Sequence, residues 1–144
     1  MVDDVTPFEH MKLRMLNGTH STLAYLGFIA GHEFVADAAN DSDFQQLLLE
    51  MWQDEIIPTL SMPVGIDLQA YAHDLMARYQ NPELHHRLYQ IAMDGSQKLP
   101  QRLLGTLRDH LAVNRLPKRI LLAIAGWMRY VTAVSYTHLT LPTI

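Results

Sequence analysis

Lys12, Asn17 and His20 are spaced so that three side chains of complementary chemistry can address one small polar group. An amine can give and take a proton, a side-chain amide can donate to an oxygen gaining negative charge, and a neutral imidazole both donates and accepts. If the run Lys12-Leu-Arg-Met-Leu-Asn17-Gly-Thr-His20 is α-helical, each residue turns about 100°, which sets Asn17 about 140° and His20 about 80° round from Lys12. His20 then lies between the other two, and the long lysine stem lets its ammonium reach the point they share. Leu13, Met15 and Leu16 supply apolar contacts elsewhere. Spacing alone leaves a second reading open, with Lys12 a solvated surface lysine and His20 a satisfied interior histidine.

The wider run from Lys12 to Gly27 resembles the lysine-x4-asparagine-x2-histidine signature of the mannitol dehydrogenase family, long-chain secondary-alcohol dehydrogenases that use NAD. The resemblance returns in Asn81-Pro82, in the block from Gln90 to Arg102 and in Ala125-Gly-Trp-Met-Arg-Tyr130. These blocks, in order, cover nearly all of residues 8 to 131, and the longer ones are most similar to members that act on uronates.

The resemblance implies a role for each matched residue. Lys12 is the general acid/base, Asn17 polarises the carbonyl oxygen, and His20 holds a substrate hydroxyl. A second asparagine with the role of Asn17 belongs to an N-terminal domain outside this sequence. For Lys12 to work near neutrality its pKa must fall well below the free value of about 10.4. Lys98 matches a substrate-binding lysine, while Gln90 stands where polyol-oxidising members carry an arginine, which argues against mannitol itself. A uronate carboxylate calls for a cationic partner. Arg87, Lys98, Arg102 and Arg129 are the candidates, with Lys98 and Arg102 ranked first by their place in the motif. NAD is implied as cofactor, bound mainly by a Rossmann half that is absent here, and no metal is implied. The expected partners are a small uronate or polyol and that missing domain.

The elements that must carry these residues read as helices. Pro7 fits a first helical position, and a long helix from about Phe8 to Ala39 follows, or two shorter ones broken at Gly18, Gly27 or Gly31. Ser42 and Gln45 make a capping-box pattern ahead of Phe44, Leu47, Leu48, Met51, Trp52 and Ile56, and Pro58 stops that helix. Asp67 caps a third helix through Tyr79. Asn81-Pro82 starts a fourth that carries Leu84, Leu88 and Ile91 to Asp94-Gly95. Pro100 and Pro117 open two more, the last through about Val131. No stretch alternates with period two long enough for a sheet. The expected fold is all-α with about six helices, a partial C-terminal helical domain of a two-domain dehydrogenase.

Composition narrows the function classes. Of 144 residues, 49% are hydrophobic and 18% charged, a globular balance, and a net charge of −4 disfavours nucleic-acid binding. With no cysteine there is no disulfide frame, thiolate metal site or cysteine nucleophile. The acidic start lacks a signal-peptide pattern, and the apolar run from Ile120 to Met128 is too short to span a bilayer, so a soluble, cytoplasmic protein is expected. His85-His86 would point about 100° apart on a helix, which disfavours one shared metal. His32-Glu33 lacks the second histidine of a zinc-protease motif, and no Gly-x-Gly-x-x-Gly fingerprint is present.

The run Val134-Ser-Tyr-Thr-His-Leu-Thr-Leu-Pro-Thr143 resembles translated sequencing-adapter DNA. Residues 1–133 are therefore expected to form the partial domain and 134–144 a non-native tail. Two other readings stay open: a polyol or different uronate dehydrogenase of the same family, or a non-catalytic helical interaction module. The module would close over its apolar surface, whereas a partial domain would leave an apolar face open.

Overall fold

The computed structural model describes residues 5–95 and 100–140, with side chains described for 7–93 and 102–133. Among them the chain is all-helical, and its one β-type pairing is an antiparallel bridge between Phe34 and Arg87. Helix α1 (Val5–Met11) runs without a break through a π-helical turn, Lys12–Asn17, into α2 (Gly18–Ile29). Gly31, at φ +95°, ends that rod in a backbone conformation open to glycine at no steric cost. The long helix read from sequence thus divides here, and α3 (Val35–Ala39) follows.

Helix α4 (Ser42–Glu50) is capped one residue earlier than its sequence suggested: Asp41, not Ser42, accepts from the backbone N–H of Asp43 at 2.9 Å. It leads into a second π-helical segment, Met51–Ile56, and a 3₁₀ turn, Ile57–Thr59, that holds Pro58. Asp67 caps α5 (Leu68–Tyr79) by accepting from the N–H of Ala70 at 3.0 Å.

The fourth expected helix is corrected. Asn81 does cap, accepting from the N–H of Glu83 at 3.0 Å, but only a 3₁₀ turn, Pro82–Leu84, follows. His85 then turns left-handed (φ 46°, ψ 35°), and α6 (Leu88–Gly95) begins later. The cause is long-range. The Val35 N–H donates to the His86 carbonyl and the Leu88 N–H to the Glu33 carbonyl, both at 2.9 Å, so residues 86–88 are held extended against 33–35. A third π-helical segment, Pro100–Leu104, leads into α7 (Gly105–Ala112), and α8 (Lys118–Thr140) is the longest helix. Its backbone runs nine residues past the expected end near Val131. No glycine or proline intervenes before Pro142, and the residue preceding a proline disfavours the α conformation.

The core gathers around α2, with Leu23, Ala24 and Tyr25 fully buried beside Leu48, Trp52, Leu75, Leu88 and Ile120. Burying each large apolar side chain is worth roughly 1.5–3 kcal/mol. Helices α6 and α8 both lie against α2, and glycine permits the approach: a Cβ at Gly27 would stand 2.8 Å from a Leu88 methyl and 3.2 Å from the Ala38 Cβ. Glu55, 3% exposed, ties the second π segment to the start of α8. Its carboxylate accepts from the backbone N–H groups of Arg119 (3.0 Å) and Ile120 (2.8 Å) and from the Arg119 guanidinium (3.0 Å). Negative charge is favoured at a helix N-terminus, where the first N–H groups lack partners within the helix. Among the described residues no helix is long and apolar enough to cross a membrane.

Candidate functional site

The residues from Lys12 to Asn17 are not α-helical. They form a π turn, in which the Gly18 N–H reaches back to the carbonyl of Leu13. Bonding five residues apart winds the chain with more than 3.6 residues per turn, so each residue rotates by less than about 100°. The angle of about 140° between Lys12 and Asn17, worked for an α-helix, therefore closes, and the two come nearer one face.

Such a turn disturbs the helical ladder and leaves carbonyls to be satisfied from outside. The carbonyl of Met15 accepts from Trp52 Nε1 at 2.9 Å, and that of Leu16 accepts from the Tyr79 hydroxyl at 2.8 Å. Thr19 Oγ1 lies 2.8 Å from the same hydroxyl and 2.7 Å from the Met15 oxygen. Two hydroxyl protons serve this buried group. With Trp52 on Met15, Thr19 donating to Tyr79 and Tyr79 donating to Leu16 leave no oxygen without a partner. Side chains of the second π segment and of α5 thus hold the first π turn. On another side Arg14 donates to Thr59 Oγ1 at 2.9 Å and to Asp109 at 2.6 Å.

Asn17 and His20 open into a cavity of about 390 Å³ between α2, α3, the end of α5 and the 81–86 loop. Leu16, Val35, Ala36 and Leu84 give it apolar walls, and Arg78, Asn81, His85 and His86 bring polar groups to it. The His20 ring stacks on Tyr79 (centroids 5.8 Å apart, planes 9° apart) and lies 5.8 Å from the tilted ring of His86. Burial, then the charges of His86 and Arg102, lower its pKa to about 4. Near neutral pH it is a neutral imidazole, able to donate and accept. Burial has the reverse effect on Tyr79, raising its phenol well above the ordinary value.

The other expected site residues are placed less centrally. Lys12 opens the π turn with its side chain exposed and does not line the cavity. Gln90 is exposed on α6 and is also outside the lining. Arg102 is half-buried and donates to Ser21 Oγ at 2.8 Å, next to His20 in sequence. Its carbonyl would stand 3.1 Å from a Cβ at Gly18, so glycine lets the third π segment approach the motif. Lys98 lies outside the described residues. Sequence reasoning missed Arg78, Asn81, His85 and His86 as a wall of the site. The two histidines were read as helical, and only the left-handed turn at His85 and the extended pairing after it bring them here. Among the described residues, no three His, Cys, Asp or Glu side chains converge as a metal set.

The described residues thus form a helical domain in which a partly enclosed cavity, apolar in its walls with a few polar groups, lies beside a lysine-bearing π turn. The chain belongs to the mannitol dehydrogenase family: residues 4–141 match its C-terminal domain, described as "Mannitol dehydrogenase C-terminal domain". It is 53% identical over 133 residues to the D-mannonate oxidoreductase of Escherichia coli (strain K12), covering 92% of this chain and 27% of that protein. It is 34% identical to the mannitol 2-dehydrogenase of Aspergillus niger, covering 92% of this chain and 27% of that one. Among solved structures it superposes on the Pseudomonas fluorescens mannitol 2-dehydrogenase in ternary complex with NAD and D-mannitol, with a TM-score of 0.84 and 37% identity. That match covers 89% of this chain and 26% of the other. The chain thus spans about a quarter of the length of these relatives.

Proposed function

We propose that this chain is the substrate-binding part of an NAD-dependent fructuronate reductase, which interconverts D-fructuronate and D-mannonate. The observation that carries the reading is the π turn, which closes the angle between Lys12 and Asn17 beside a cavity that Asn17 and neutral His20 line. The 53% identity to a mannonate oxidoreductase, against 34% to a mannitol 2-dehydrogenase, favours the sugar acid over the polyol. In this reading residues 1–133 make up the domain, and residues 134–144 stand outside it.

The chain does not fit a dinucleotide on its own. It has no Gly-x-Gly-x-x-Gly run and, among the described residues, no strand-to-helix turn to present one. A nicotinamide cofactor, held in this reading by the rest of the enzyme, would accept or supply the hydride. The work of this chain is to hold the sugar acid and handle its proton. As a ketone is reduced, its oxygen gains negative charge. The Asn17 amide donates to that oxygen and stabilises the charge as it develops. Lys12 delivers the proton that completes the hydroxyl, and takes it back in the oxidative direction. His20 fixes a neighbouring hydroxyl.

The Lys12 side chain is exposed among the described residues, and in this reading the rest of the enzyme supplies the cover that acid–base work asks of it. An open apolar surface supports the same view. Phe28 and Tyr89 are 40% and 52% exposed with ring centroids 5.9 Å apart, and Met93 lies one turn further along α6. A self-contained interaction module has less reason to leave that face open.

The test joins residues 1–133 to the remainder of a mannonate oxidoreductase and follows NAD-linked mannonate oxidation. Lys12→Ala is expected to lower kcat by roughly 10²- to 10⁴-fold and to remove one ionisation from the pH profile. Near-normal kcat with an unchanged profile would refute the assignment.

A further inference from the structure

The cavity beside Asn17 and His20 has a charge character that the catalytic motif does not explain. Its lining includes one guanidinium, Arg78, and no Asp or Glu. Several other arginines are committed: Arg14 to Asp109, the exposed Arg87 to Glu33 at 3.0 Å, and Arg119 to Glu50, Asp54 and Glu55. Arg102, the arginine favoured from sequence, spends Nη1 on Ser21. Among the described residues Arg78 has no carboxylate partner. Beside it Asn81 uses its side-chain oxygen to cap the 3₁₀ turn, which leaves its amide N–H groups free for the cavity. His86 adds a ring opposite His20. A planar guanidinium with an amide donor beside it matches the two oxygens of a carboxylate.

We propose that Arg78, supported by Asn81, binds the carboxylate of a sugar-acid substrate and so sets the preference of this cavity for an acid over the neutral polyol. The proposal rests on the dehydrogenase reading of the cavity and assigns the acid-recognising residue within it.

D-mannonate and D-mannitol differ by a carboxylate in place of a terminal hydroxymethyl group, so the pair isolates this contact. The test titrates residues 1–133, joined to the remainder of a mannonate oxidoreductase, with each and follows the ring resonances of His20 and His86 by NMR. Mannonate is expected to bind about tenfold or more tightly than mannitol, the scale of one charge-assisted contact. Arg78→Gln should bring the ratio close to one, and Arg78→Lys should restore part of it. Arg78 is exposed and makes no side-chain bond within the described residues, so the variant fold should persist, with an unchanged amide spectrum as the check. If mannonate still perturbs His20 in Arg78→Gln with its full preference, this inference falls and the dehydrogenase reading stands. Loss of the preference in Arg102→Gln but not in Arg78→Gln moves the carboxylate to Arg102 and overturns the proposal in the same way. No saturable shift at His20 with either ligand in the wild type overturns the dehydrogenase reading of the cavity, and this inference with it.

Discussion

Removing the Tyr79 hydroxyl while keeping its ring tests whether the π turn is held from outside. Tyr79→Phe leaves the stack on His20 and the neighbouring stack on Trp52, whose centroid is 6.4 Å away, essentially untouched. It removes the donor to the Leu16 carbonyl at 2.8 Å and the partner of Thr19 Oγ1 at 2.8 Å. Thr19 can still donate to the Met15 oxygen at 2.7 Å, so the net loss falls on the part-buried Leu16 carbonyl, whose remaining contact, with Thr19, is long at 3.3 Å. A buried acceptor left without a partner costs about 1–3 kcal/mol, and for this part-buried one the low end, about 1 kcal/mol, corresponds to roughly 2–4 °C in Tm for a domain of this size. The assay is thermal and urea denaturation, together with hydrogen exchange at the Gly18 amide, which bonds to the Leu13 carbonyl within the turn. Exchange there should accelerate more than in the middle of α5. An unchanged midpoint together with unchanged Gly18 exchange would show that the turn does not depend on Tyr79, and the account of how it is held would fail.

Two further outcomes are expected. His20 is held near a pKa of about 4, against about 6.5 in the unfolded chain, so the unfolded state alone takes up its proton between those values. Stability from this group is therefore constant above pH 6.5 and falls as the pH drops toward 4. Urea midpoints at pH 7 and pH 4.5 should converge in His20→Gln relative to wild type; an equal acid loss in both would contradict the assignment. Glu55→Ala strips the first N–H groups of α8 of their acceptor and deprives Arg119 of its buried partner, leaving it Glu50 and Asp54. About 3 kcal/mol should be lost, read as a lower urea midpoint with similar slope, and a loss under 1 kcal/mol would mean that α8 is docked by other contacts.

Local chemistry made much of this protein readable in advance. The Asp67 and Asn81 caps, the stop at Pro58, the helix start at Pro117, and the all-helical class follow from residues acting on their immediate neighbours. Family membership was equally visible, because Lys12, Asn17 and His20 and the later blocks keep their order along the chain. Tertiary structure decided what spacing could not. A π turn at Lys12–Asn17 is unfavourable unless donors reach its carbonyls, and those donors sit far away in sequence, at Trp52 and Tyr79. The stretch that reads as one helix from Asn81 is broken because Glu33 and Val35 pair with residues 86–88 across more than fifty positions. That break turns His85 and His86 toward the cavity, while the end of α5 brings Arg78 to the same wall. Helical periodicity records only what residues three or four apart can share. It carries no trace of hydrogen bonds between distant segments, and in this protein those bonds shape the site.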